Sequence, residues 1–167
     1  PSYIFTRLVP DLPDDYHDKL VNVQYLSAVL VILILDRPLT DKYWISIADH
    51  DLPFVGIIEH TNMIDRSLYG GHHIVYLTNY PDRDSELYQK SAEELVAEFT
   101  PHLRQLNPDF DPSWILEYHH HKVDGAQPII GINYSQRIPD HRTPIKNLYL
   151  ANTTQIYPED RGTNYSV

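Results

Sequence analysis

An α+β fold, a mostly antiparallel mixed sheet with one or two helices on one face, is predicted from three features of the sequence. Apolar segments of strand length succeed one another between Tyr25 and Leu77, separated by turn residues and by no helical segment, the order that antiparallel pairing produces. One well-marked amphipathic helix follows at Ser91. The chain of 167 residues, 42% hydrophobic, is long enough to bury a real core as one domain.

The elements follow in order. Leu12, Tyr16 and Leu20 recur at helical spacing after Pro13, and Asp14 and Asp15 suit a positive helix N-terminus, so a short helix is predicted from about Pro13. Tyr25 to Leu35 is almost unbroken in leucine and β-branched residues and predicts a central strand covered on both faces. Arg37-Pro38 and Thr40-Asp41 interrupt it. Tyr43 to Asp49, Phe54 to His60 and His72 to Leu77 predict three further strands, with a longer loop from Thr61 to Gly71 before the last. Ser91 and Glu94 make a capping box, and Leu95, Phe99, Leu103 and Leu106 share a helix face. Pro101 within that face predicts a kink near Phe99 or Thr100, and Asn107-Pro108 ends the helix. Trp114 to Val123 predicts a fifth strand, with Trp114, Leu116, Tyr118 and His120 to one side. After an irregular stretch from Gln127 to Pro144, Leu148 to Ala151 predicts a short closing strand in a different sheet.

Composition narrows the function. The formal charge is −10 with the acidic residues scattered, which disfavours nucleic acid and anionic membrane surfaces as partners. The longest apolar run, Ala28 to Leu35, is too short to span a bilayer. With no cysteine, disulfide scaffolds, thiolate metal sites and thiol nucleophiles are excluded, and a cytoplasmic, reducing location is expected. Pro1 at the start, with Met63 the only methionine, leads us to expect that both ends are cut.

The closing strand runs through a polar loop into Gly162-Thr163-Asn164, which reads as a helix opening. Strand, loop and helix N-terminus make an anion-holding device, because free N–H groups and the helix dipole converge there. This segment resembles the C-terminal flavin-binding segment of the flavin-dependent amine oxidase superfamily, which includes protoporphyrinogen oxidase and the carotenoid desaturases. The resemblance is loose over most of the chain and more specific from Arg142 to Val167. It implies a substrate-binding domain over residues 1–141 and, over 142–167, a return to an FAD-binding domain that is otherwise absent. It also implies that Asn152, Thr153, Asp160, Arg161, Gly162, Thr163 and Asn164 line the flavin. Gly162 permits close backbone approach, and Arg161 adds a fixed cation.

Two departures stand out. The family has Ala-Gly and then an acidic residue where this chain has Ala151-Asn152-Thr153-Thr154, and the aromatic wall of an amine cage is missing near Gly162. The Gly-x-Gly-x-x-Gly dinucleotide fingerprint occurs nowhere in the chain. The fragment is therefore expected to bind FAD weakly or not at all and to be inactive alone. Its expected partners are the missing FAD-binding domain and a small-molecule substrate. Faces that dock on the missing domain could make the fragment a homodimer.

Other residues invite chemistry. Glu59 and His60 end an apolar run with polar groups, where a substrate could be oriented or a proton shuttled. Tyr118, Gln127 and Tyr134 lie where the sheet should meet the flavin and complete the predicted substrate-binding set. His119-His120-His121 and His72-His73 raise a metal site, with Glu117 as a candidate carboxylate. No spacing matches a zinc motif, so no metal is assigned. Because the flavin itself takes the hydride in this superfamily, no catalytic residue is nominated. The alternatives are a stand-alone binding module and a flavin-fold isomerase of a nucleotide sugar.

Overall fold

The run Tyr25–Leu35 forms an eleven-residue strand (β1). The computed structural model describes residues 1–159 and 162–165, for Thr163 the backbone only. Around β1 stand β2 (Trp44–Ser46), β3 (Gly56–Glu59), β4 (His73–Asn79) and β5 (Ile115–Pro128) in the order β2-β3-β4-β1-β5. β1 with β4, β4 with β3 and β3 with β2 are antiparallel. β5 runs against β1 as well: the Asp36 N–H donates to the Trp114 carbonyl, and at the other end the Ile129 N–H donates to the Gln24 carbonyl. The α+β class predicted from sequence is the one observed.

Register decides which side chains share a face. Ile45, Ile57, Leu77 and Val31 stand opposite one another across four strands. They pack with Leu33, Leu35 and Phe54 against Leu95, Phe99 and Leu103 of the helical layer. That layer is α3 (Glu86–Gln89), α4 (Ala92–Phe99) and a 3-10 turn, Thr100–Gln105. The capping box is formed as predicted, Ser91 Oγ accepting the Glu94 N–H and Glu94 accepting the Ser91 N–H. Pro101 tightens the last turns to 3-10 geometry, since it cannot donate the N–H that an α-helix needs there.

Several expectations need correction. β1 is not covered on both faces: its odd-numbered residues from Ser27 to Leu35 are buried and the even ones only half-buried. The second strand shrinks to Trp44–Ser46, because it is the sheet edge and the Asp51 N–H to Asp49 carboxylate bond starts a turn. The loop from Thr61 is built of 3-10 turns, His60–Asn62 and Arg66–Tyr69. β5 runs past Val123 to Pro128. Leu148 to Ala151 is no strand: a single bridge pairs Arg142 with Tyr149, outside the five-stranded sheet. After Gly162, where a helix opening is expected, the described residues Thr163–Tyr165 form a 3-10 turn.

Internal contacts group the chain into Ser27–Val123 and a second unit of Pro1–Leu26 with Asp124–Val167. In the second unit α1 (Ser2–Leu8), which the sequence did not reveal, precedes the expected α2 (Asp14–Val21). Leu12, Tyr16, Leu20 and Leu150 form its buried cluster, with Phe5, Val9 and Ile145 against it. Among the described residues, no helix is long and apolar enough to cross a membrane.

Candidate functional site

Within unit Ser27–Val123 one face of the sheet packs under α4 and its 3-10 turn, and among the described residues of that unit no helix packs on the other. On the second face Trp44, Ile58, Tyr76 and Ile32 align across four strands, and Ser46, Gly56, Thr78 and Leu30 form the next row. Trp44 is 57% exposed, while Ile58, Tyr76 and Ile32 are half-buried. An antiparallel sheet with one face solvated ordinarily carries polar residues on it. Here the row of Trp44, Ile58, Tyr76 and Ile32 is apolar and aromatic, the character of a surface that meets a ligand or a further layer of protein. Gly56 fits this row because a Cβ there would meet Thr78 Oγ1 at 2.9 Å.

At the end of β3 a polar cluster borders that face. His60 Nε2 lies 2.8 Å from the Tyr69 hydroxyl, and the imidazole meets the rings of Tyr69 and Tyr76 edge-on at 5.4 and 5.8 Å. Glu59, its neighbour, is wholly buried. Its carboxylate accepts the backbone N–H groups of Leu39 (3.2 Å) and Thr40 (2.7 Å), and burial raises its pKa to about 7 against those bonds. His73 sits beside it, Nδ1 at 3.6 Å from the carboxylate. Arg66 can only donate, so its 3.2 Å contact makes His73 Nε2 the acceptor and leaves the ring proton on Nδ1, facing Glu59. Burial and then the nearby Arg66 hold the His73 pKa below the ordinary value. Of the two sequence candidates, His60 can touch a ligand and Glu59 holds the strand end. Sequence reasoning missed Arg66, Tyr69 and Tyr76, since the fold of the loop after β3 is what delivers them.

Tyr118 stands on β5, separated from β3 by β4 and β1, so it does not join Glu59 and His60. It lines a groove of about 1100 Å³ with Val96, Ala97, Pro101, Phe110 and Leu116. Glu93, Arg104 and Glu117 also line it. Arg104 is engaged there, donating to the Phe110 carbonyl and pairing with Asp111 at 3.6 Å.

In the other unit, Tyr134 is buried and its hydroxyl donates to the Thr154 carbonyl at 2.6 Å, which joins it to the C-terminal turn. Gln127 is half-buried on β5. Asn152 Oδ1 accepts from the Thr154 N–H and hydroxyl, and the Asn152 N–H donates to Gln155. A hollow of about 230 Å³ lies here, lined by His141, Asn152, Gln155, Tyr157 and Tyr165 among others. It is smaller than the pockets that bury a whole drug-sized ligand. Thr153 is half-buried beside it. At Gly162 a Cβ would meet only the end of the exposed Asn164 side chain, which can turn away. Asp160, Arg161 and the Thr163 side chain lie outside the described residues.

Solved structures share the fold, three of them as follows. A protein from Exiguobacterium sp. 255-15 assigned as a protoporphyrinogen oxidase superposes with a TM-score of 0.65 at 13% identity, over 83% of this chain and 30% of that one. An oxidoreductase from Methanosarcina mazei gives 0.63 at 15% identity, over 92% and 37%. Reduced UDP-galactopyranose mutase gives 0.57 at 14% identity, over 75% and 27%. The chain thus spans about a third of the length of these proteins. No curated protein matches the sequence. The sequence itself matches the flavin-containing amine oxidoreductases over residues 2–158, nearly its whole length, and the chain belongs to that family.

Proposed function

We propose that this chain is the substrate-binding part of an FAD-dependent oxidoreductase acting in the cytoplasm on a small molecule. Residues 1–141 would bind substrate and residues 142–167 would return to the FAD-binding domain. The family match over residues 2–158 carries this reading. The uncovered apolar face of the sheet supports it, because a flavin ring and an apolar substrate need a dry wall.

When bound, FAD would supply hydride abstraction from a C–N or C–C bond. The chain's own residues have other tasks. Trp44, Ile58, Tyr76 and Ile32 exclude water and set the plane of the substrate. His60 and Tyr69, already sharing a hydrogen bond, can hold or pass a proton at the rim. Tyr118 lines a separate groove and Tyr134 is buried, which leaves half-buried Gln127 as the further substrate-side candidate. Asn152, Thr153, Gly162, Thr163 and Asn164, with Asp160 and Arg161, would face one edge of the flavin. The isolated chain would be inactive and would bind FAD weakly, because it carries no bed for the adenine half.

Expression of the complete reading frame tests the reading. A yellow protein with a flavin absorption band is expected, whereas the present chain titrated with FAD should show only weak binding. In the full protein, Trp44→Ala should lower kcat/KM by about tenfold or more with little loss of stability, as Trp44 is exposed. A colourless full-length protein, or undiminished turnover by that variant, would count against the proposal. The fold shared with UDP-galactopyranose mutase makes a nucleotide-sugar isomerase the second reading. Net oxidation of the substrate separates the two, because isomerisation leaves the redox balance unchanged.

A further inference from the structure

We propose that the free edge of β5 pairs antiparallel with β5 of a second copy, and that the paired strands hold one divalent transition-metal ion between four histidines. The two edges of the sheet differ. β2 is only three residues long, whereas β5 is long, with β1 on one side and no strand on the other among the described residues. Its exposed stretch runs to Val123, beyond which Gly125 packs against Pro1 and Tyr3. A long open edge is a template for another strand unless charge, proline or a covering element blunts it. Lys122 is the residue that could blunt it. Its ammonium is drawn away, donating to the Lys90 carbonyl at 2.8 Å and lying over the Tyr88 ring.

What remains along the edge is Glu117, His119 and His121, all exposed and, by strand alternation, on one face. His119 Nε2 lies 3.3 Å from Glu117 Oε1, so this imidazole is oriented by a carboxylate and offers Nδ1 to a metal. Within one copy, no group of three or more potential ligands gathers among the described residues. A single chain presents two imidazoles and is incomplete.

A second copy completes the site by symmetry. Two antiparallel strands are related by a two-fold axis normal to the sheet, and residues directly opposite lie on the same face. With His120 on that axis, His119 of each copy faces His121 of the other. Four imidazoles then stand at the corners of a rectangle, roughly 7 Å along the strand and roughly 5 Å across it. Nitrogen ligands about 2 Å from a shared metal suit such a spacing, and four neutral imidazoles suit Zn2+. The two Glu117 carboxylates flank the cluster and offset the charge of the ion. Among the described residues of β5 the one basic side chain besides the histidines is Lys122, which alternation places on the opposite face.

Sedimentation of the untagged chain, first in EDTA and then with zinc chloride, tests the proposal. We expect a monomer in EDTA and a doubled mass with zinc, saturating at one ion per two chains. Cobalt(II) should give the intense visible band of tetrahedral coordination. The His119→Ala/His121→Ala variant should stay monomeric and bind zinc at least about tenfold more weakly, with the thermal midpoint in EDTA unchanged because both side chains are exposed. A His72→Ala/His102→Ala variant, which removes histidines elsewhere, should dimerise like the parent. A chain that stays monomeric in saturating zinc overturns the proposal. So does one zinc bound per chain without a change in mass, or a zinc dimer that survives the β5 double substitution.

Discussion

Glu59 shows what a single residue decides here. A carboxylate with no exposed surface is costly, and two backbone N–H groups only partly offset its desolvation, so it holds its proton to about pH 7. Its folded pKa lies above the unfolded value near 4.5, so this contribution to stability is complete below 4.5 and is lost as pH rises through 7. The sum is up to about 3 kcal/mol. His73, whose folded pKa is lowered, acts in the opposite sense, losing stability as pH falls. Glu59→Gln isolates the carboxylate: between pH 4.5 and 7 the wild type should lose stability relative to the variant in urea denaturation. A constant difference across that window would mean that the buried group does not titrate there. The sequence pointed to Glu59 as a polar group ending an apolar run. It could not show that Leu39 and Thr40 would fold back to bond it.

At the scale of elements, the α4 cap was fully legible because all its parties lie within four consecutive residues. The Ser91 and Glu94 bonds, 3.2 and 2.8 Å, satisfy two N–H groups that the helix cannot. Those bonds, first the one to the Ser91 backbone, hold the Glu94 pKa below the usual carboxylate range. Ser91→Ala should cost about 1 kcal/mol in chemical denaturation, and Ser91→Gly less. The C-terminal segment was misread for the complementary reason. Leu148 to Ala151 carries strand-forming residues, but a strand needs a partner, and only Arg142 and Tyr149 meet. Beta propensity expresses fit to neighbours more than a preference of the backbone.

At the scale of the molecule there are two cores of unequal depth. Unit Ser27–Val123 buries an extended cluster between sheet and helices, whereas the unit of Pro1–Leu26 and Asp124–Val167 rests on Leu12, Tyr16, Leu20 and Leu150. Leu20 is fully buried in the smaller cluster, so Leu20→Ala should remove about 2–5 kcal/mol. Hydrogen exchange should then show lost protection in α1 and α2 while β3 and β4 keep theirs. Equal loss in both would mean that the units unfold as one.

Read alone, the sequence determined the α+β class, the central strand, the capped helix and the resemblance to flavin-dependent oxidases. Each of these is written in local periodicity, or in motifs whose members are near neighbours in the chain. Only the tertiary structure decided that Trp44, Ile58, Tyr76 and Ile32 align on an open face. It also decided that Glu59 is sealed away and that β5 is the last strand of the sheet among the described residues. Strand register and sheet order join residues far apart in the chain, and no short-range pattern of side chains encodes which of them will meet.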